Sequence, residues 1–134
     1  MLNVPSSPPR SRPERAHLLR AWAPPIIWAA LIFFLSSLPG STIPSPFFFA
    51  DKVFHLGAYA VLGYLVARAL VRHGWSGRAL VMLSLLLCLL YGVSDEFHQS
   101  FVPDRAPSVM DVAADILGVC IGIVICTRKR RRHD

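Results

Sequence analysis

The chain has 134 residues, 54% of them hydrophobic, and a mean hydropathy of +0.48. That length leaves room for one domain, and that apolar content excludes a solvated globular surface, so a membrane is the expected solvent. The formal charge of +6 does not point to nucleic acid, because the basic residues stand in blocks between apolar runs instead of lining one folded face.

Residues 1–20 carry Pro5, Pro8, Pro9 and Pro13 among Ser and Arg. Locked φ angles, missing donors and scarce apolar surface make them a disordered basic cytoplasmic tail with no regular helix expected. An apolar segment follows from Ala21 to Leu38, with Pro24 and Pro25 tolerated near its start and Pro39-Gly40 ending it. The preceding arginines would suit a signal peptide, but no A-x-A-like cleavage site follows and the later apolar runs need a membrane anyway. It reads as the first transmembrane helix.

Residues 39–50 form a loop with Pro39, Pro44 and Pro46, and Phe47, Phe48 and Phe49 suit a chain re-entering at headgroup level. A second helix is expected from about Asp51 to Val71, then a turn at His73-Gly74-Trp75-Ser76-Gly77. The third begins near Arg78 and carries its charges to the interface, since SDEFHQSF holds no helix breaker before Pro103. After a turn at Pro103 to Pro107, Ser108 is the expected N-cap of a fourth helix ending near Cys126, followed by the basic TRKRRRHD. Each segment reaches the roughly 20 residues a bilayer requires. The reading is an all-α polytopic membrane protein: a tail over 1–20, a four-helix membrane domain over 21–126 and a basic tail over 127–134. Cys88, Cys120 and Cys126 lie in apolar runs without framework spacing and are expected to pack as small apolar residues.

Charge sets the orientation. Arg10, Arg12, Arg15 and Arg20, then Arg68, Arg72 and Arg78, then Arg128 to Arg132 hold twelve of the fourteen Lys and Arg residues. Helix alternation puts these blocks on one side, which the positive-inside rule makes cytoplasmic, so both termini are expected in the cytoplasm. Lys52 and Arg105 are left outside with Asp51, Asp95, Glu96, Asp104, Asp111 and Asp115, a formal charge of −4.

Those acids sit on helix ends more than in loops. His55 and Asp111 fall about 24–25 Å from the cytoplasmic ends and Asp115 about 18 Å, inside a core of about 30 Å. Ionisable groups at such depth usually face a bundle interior and mark a functional site. Asp51, His55 and Tyr59 share one face of the second helix beside Lys52. Gly92, Glu96 and Gln99 share a face of the third, flanked by Asp95 and His98. Asp111, Ala114, Asp115, Gly118 and Gly122 form a stripe on the fourth, whose small residues admit a close neighbour. With Arg105 and Ser108, these make the candidate polar pocket.

Asp51-Lys52-x-x-His55, then Asp95-Glu96-x-His98-Gln99-x-Phe101-x-Pro103-x-Arg105, then Ser108-x-x-Asp111-x-x-Ala114-Asp115-x-x-Gly118 together resemble the VanZ-like family, over a match from Asp51 to Gly122. Many relatives have Gly at the Asp104 position and often Asn at that of Asp115. The resemblance implies a protein of the bacterial inner (plasma) membrane and an association with resistance to the glycopeptide teicoplanin, without supplying a reaction.

Several functions remain open. In the first, the pocket binds an envelope lipid or lipid-linked headgroup, with Arg105 gripping phosphate through its planar fork and Lys52 as a point charge. The surrounding acids then pair with these cations, or a divalent cation bridges them to the headgroup. In the second, a membrane enzyme acts on a polyprenyl-phosphate-type headgroup, with Glu96, Asp111 or Asp115 as base and His55 or His98 as acid, base or ligand. No motif fixes a nucleophile for it. Proton or ion coupling through Asp111 and Asp115 lacks a partner acid in the cytoplasmic half. A purely structural polar network is the remaining reading, although buried hydrogen bonds in membranes average only roughly 0.6 kcal/mol. The basic tail is expected to touch anionic lipid and not nucleic acid. The glycine stripe serves either the bundle or a dimer seam, so the oligomeric state is not legible.

Overall fold

The computed structural model describes residues 12–42 and 49–132. The expectations for residues 1–11, for Pro44, Pro46, Phe47 and Phe48, and for the last two residues fall outside the described residues. Within them every regular element is helical: α1 (Arg12–Arg20), α2 (Ala23–Ser36), a 3₁₀ turn (Gly40–Thr42), α3 (Ala50–Arg72), α4 (Gly77–Gln99) and α5 (Val109–Arg131).

Helix α1 corrects the expectation that no regular helix forms before Ala21. Pro13 is its second residue, where the missing N–H would have had no partner inside the helix. A turn with Ala21 N–H on Leu18 O and Trp22 N–H on Leu19 O joins α1 to α2. Helix α2 alone has 14 residues, too few to cross a bilayer, and the span is completed by the end of α1 to give 21 residues from Ala16 to Ser36. Helices α3, α4 and α5 have 23 residues each, about 35 Å at 1.5 Å per residue.

The turn between α3 and α4 follows from Gly74. At φ +86 it takes the left-handed position after the His73 C-cap, its N–H reaches Val71 O at 3.0 Å, and Trp75 N–H reaches Leu70 O at 3.1 Å, the paired bonds of a Schellman end. At the other extreme, α5 continues to Arg131 and does not end near Cys126. Arg and Lys are good helix formers, nothing in TRKRR breaks a helix, and cations suit its C-terminal dipole.

Four of these helical stretches are long and apolar enough to span a membrane, and they alternate in direction. The polar groups face inward: Ser84, Asp95, Glu96, Gln99, Asp111 and Asp115 are buried, while Ile26, Ile27, Phe34, Leu90, Phe97, Leu117 and Ile125 point outward. A water-soluble bundle would reverse this arrangement, whereas a bilayer accepts the apolar exterior.

The most extensive pairing is α3 against α5. A Cβ at Gly118 would strike Leu56 O, one at Gly122 would strike Ala60 O, and one at Gly63 would come within 2.8 Å of the Val119 backbone. The glycine stripe of α5 therefore lies within the bundle, with backbone against backbone. Around this seam, Tyr59, Leu62, Val66, Leu70, Leu80, Cys88, Val119 and Ile123 make the dry core. Cys126 is also buried, while Cys120 is exposed on the outer face of α5. The seam sets the distance between the first turns of α3 and α5, where most of the ionisable residues lie.

Candidate functional site at the polar end of the bundle

Three helix ends meet here: the starts of α3 and α5 and the end of α4. Helical spacing stacks Lys52, His55 and Tyr59 on α3 and Asp111 and Asp115 on α5. Lys52 Nζ sits 2.7 Å from Asp51 Oδ2 and 2.5 Å from Asp111 Oδ1. One turn further in, His55 Nδ1 lies 2.9 Å from Asp115 Oδ1. Glu96 comes from α4 and accepts the Ser108 backbone N–H on Oε2 at 2.9 Å. That bond ties the end of α4 to the N-terminus of α5, whose first amides need acceptors. Behind these residues, Asp95 Oδ2 accepts Gln99 Nε2 at 3.1 Å and the Tyr59 hydroxyl at 3.4 Å.

Several buried oxygens are left without a hydrogen-bond partner: Asp95 Oδ1, Glu96 Oε1 and Asp115 Oδ2. Asp95 and Asp115 are each 3% exposed and Glu96 6%. Lys52 is already shared by two acids, and His55 is engaged with Asp115. A buried carboxylate oxygen lacking a donor costs about 1–3 kcal/mol, and more when charged, so the arrangement is hard to explain as a device for stability. His55, Glu96 and Asp115 can each turn one ligand atom into a common space, these atoms lying within 4.8 Å of one another.

Below the acids, α4 and α5 part to leave a crevice of about 190 Å3. Gly92 and Asp115 stand at its polar end, and Leu89, Cys88, Leu85, Ile116 and Val119 line it toward the middle of the bundle. Gly92 holds this junction open: a Cβ there would lie 3.2 Å from Asp115 Oδ2 and 3.4 Å from the Tyr59 ring.

Not every residue expected in the pocket joins it. His98 turns toward α2, stacked on Phe33 at 4.4 Å between ring centroids and 3.0 Å from Ser37 Oγ. Arg105 is corrected more sharply: it makes no ion pair with the acids of the cluster. Its Nε donates to Leu38 O and its Nη2 to Leu35 O, both at 3.3 Å, so the side chain caps the chain just beyond α2 and adds a donor to Leu35 O, which also accepts the Leu38 N–H at 3.2 Å. Ser108 is the N-cap residue of α5, but its side chain makes no capping bond. Asp104 also stays outside, exposed in the turn with φ +58. Sequence reasoning missed Gly40, whose N–H donates to Pro103 O at 3.1 Å and whose Cα faces the Asp104 carbonyl too closely for any side chain. The signal available was Pro39-Gly40 itself, since glycine after proline often marks close backbone approach as well as a turn.

No curated protein and no solved structure matches the chain. The profile of the family described as VanZ/LLP1 matches residues 21–130, which takes in α2, α3 and α4 whole, α5 to its penultimate residue and every ionisable group of the cluster. The chain therefore belongs to the VanZ/LLP1 family, as a VanZ-like membrane protein with several membrane-spanning helices.

Proposed function

We propose that this protein binds an envelope lipid or lipid-linked intermediate, the headgroup against Lys52, His55, Glu96, Asp111 and Asp115 and the hydrocarbon chain in the crevice between α4 and α5. The observation that carries this reading is the direction of the crevice: it starts at a carboxylate near one end of the bundle and runs inward between apolar side chains. That is how a lipid of the adjoining leaflet is arranged, polar end outward and chain toward the bilayer centre. At about 190 Å3 the space is below the roughly 300 Å3 of ordinary small-molecule pockets and suits a chain better than a bulky soluble ligand.

The charge pattern adds a sidedness. With the basic blocks cytoplasmic, the chain lies in the inner membrane with both termini inside, and the cluster faces outward. A headgroup held there would be less accessible to a glycopeptide such as teicoplanin. The pairing of His55 with Asp115 at 2.9 Å, with Glu96 beside it, also favours a second reading in which the cluster moves a proton on that headgroup.

The test is mass spectrometry of lipid co-purified with the full chain. A lipid enriched over the bulk membrane is expected, depleted by Glu96→Gln at the headgroup end and by Leu89→Trp in the crevice. Lipid matching bulk composition in all three proteins would remove the reading. A fluorescent protein fused after Asp134 should fluoresce in the cytoplasm, and a dark, stably expressed fusion would reverse the sidedness.

A further inference from the structure

We infer that His55, Glu96 and Asp115 form a binding site for one first-row divalent cation of the Zn2+ or Mn2+ type. The inference goes beyond lipid binding and stands whether or not a lipid occupies the crevice.

The three side chains come from three different helices and present ligand atoms within 4.8 Å of one another. Acids gathered in one place would not by themselves make a metal site. Here, however, Glu96 Oε1 and Asp115 Oδ2 are buried and accept no hydrogen bond, on side chains more than nine-tenths buried. A metal ion supplies the positive charge that such oxygens lack, and it does so where water is scarce.

One pair is already spaced as a coordination edge. Two ligands each about 2.1 Å from an ion stand about 3.0 Å apart in an octahedral shell such as that of Mn2+ and about 3.4 Å apart in a tetrahedral zinc shell. His55 Nδ1 to Asp115 Oδ1 is 2.9 Å, so Mn2+ fits the pair as it stands and tetrahedral Zn2+ would open it by about half an ångström. That contact can be a hydrogen bond when the site is protonated and an edge of the coordination shell when it is metallated. Glu96 is already oriented: the Ser108 N–H holds Oε2 at 2.9 Å, fixing one carboxylate oxygen and freeing the other, as donors around metal ligands commonly do.

The donor set selects the metal. One imidazole and two carboxylates favour Zn2+ or Mn2+ over Mg2+ and Ca2+, which prefer oxygen alone. Two carboxylates cancel the ion's charge, and three protein ligands leave a position for water or an anionic oxygen. The neighbouring group of Asp51 and Asp111 is unsuited because Lys52 already stands between them.

The experiment uses the full chain in detergent, freed of any histidine tag and stripped with a chelator, then offered Zn2+, Mn2+ or Mg2+ separately. One Zn2+ or Mn2+ per chain is expected, with a rise in melting temperature that Mg2+ does not match at equal concentration. His55→Gln, Glu96→Gln and Asp115→Asn should each weaken binding at least about tenfold, while Asp95→Asn, a buried acid outside the set, should not. Stoichiometric binding unchanged by the three substitutions, equal loss with Asp95→Asn, or no retained metal would each overturn the assignment. Should the variants fail to fold, electron spin echo spectra of Mn2+ on the unaltered protein decide: coupling to one imidazole nitrogen supports the site, and its absence rejects it.

Discussion

The same two helices, α3 and α5, meet in two different ways along one stripe. At Gly118 and Gly122 they touch through backbone atoms, with no space for a methyl group. Two turns toward the polar end, at Asp111 and Asp115, they meet instead through ionisable side chains, Lys52 to Asp111 and His55 to Asp115. In the first region backbone packs directly on backbone, with no ionisable side chain between the two helices at Gly118 and Gly122. The second leaves buried oxygens without partners beside it, a cost the fold would avoid by using apolar residues. The contrast separates contacts that make the bundle from a cluster that costs it stability.

The largest expected effect tests the packed region. Gly122→Leu pushes a side chain into Ala60 O and the Tyr64 amide, and overpacking of a backbone contact should cost about 3 kcal/mol or more. Thermal melting in detergent should show loss of the cooperative transition. Normal melting would mean that the helices can separate without consequence, and the distinction between the two regions would fail.

Next comes Arg105, which lies at the polar end but acts on α2. Arg105→Ala removes two charge-assisted bonds to Leu35 O and Leu38 O and should cost about 1.5–3 kcal/mol before solvent screening, less in practice because the group is partly exposed. Ligand or metal binding by the surviving folded protein should be unchanged. A selective loss of binding at full stability would move Arg105 back among the residues of the cluster.

That correction shows where sequence is informative. Lys52, His55, Asp111 and Asp115 are legible because helical spacing decides which side chains share a face, and depth follows from counting residues. The four spans are legible because apolar length is a direct requirement of the bilayer. The partner of Arg105 is not, because its acceptors are backbone carbonyls, which every residue possesses. For the same reason Glu96 bonding to the Ser108 amide has no signature in residue type. The helix before Ala21 was hidden by Pro13, a breaker everywhere except in a first turn, and the continuation of α5 was hidden because a basic tail and a basic last turn have the same composition.

Asp115→Asn probes the other side of the comparison. The amide keeps the shape and can still accept from His55, but it ends the burial of a carboxylate whose Oδ2 has no partner. Stability should hold or rise by about 1 kcal/mol, while metal and lipid binding fall. A substitution that stabilises and disables together is the mark of a group kept for function. If Asp115→Asn instead melted well below the parent, the acid would be a structural strut, and the two regions would differ only in chemistry and not in purpose.

The smallest effect belongs to Asp104→Gly, a change at an acid of the polar end that takes no part in the cluster. The acid's φ of +58 is the left-handed conformation that glycine adopts without strain and that Asp tolerates better than most residues. Asp104→Gly relieves that strain but adds freedom to the unfolded chain, so the net gain should be only about 0.5 kcal/mol. Asp104→Val, β-branched in the same conformation, should instead lower stability by about 1–2 kcal/mol. Neither change should alter binding, because the turn acts through its backbone: the Pro103 carbonyl takes the Gly40 amide, and the close approach of Gly40 to the Asp104 carbonyl needs no carboxylate. Opposite signs of stability with constant binding would place Asp104 with the packed region despite its charge, so that membership of the cluster follows from which helix face a residue occupies and not from its being acidic.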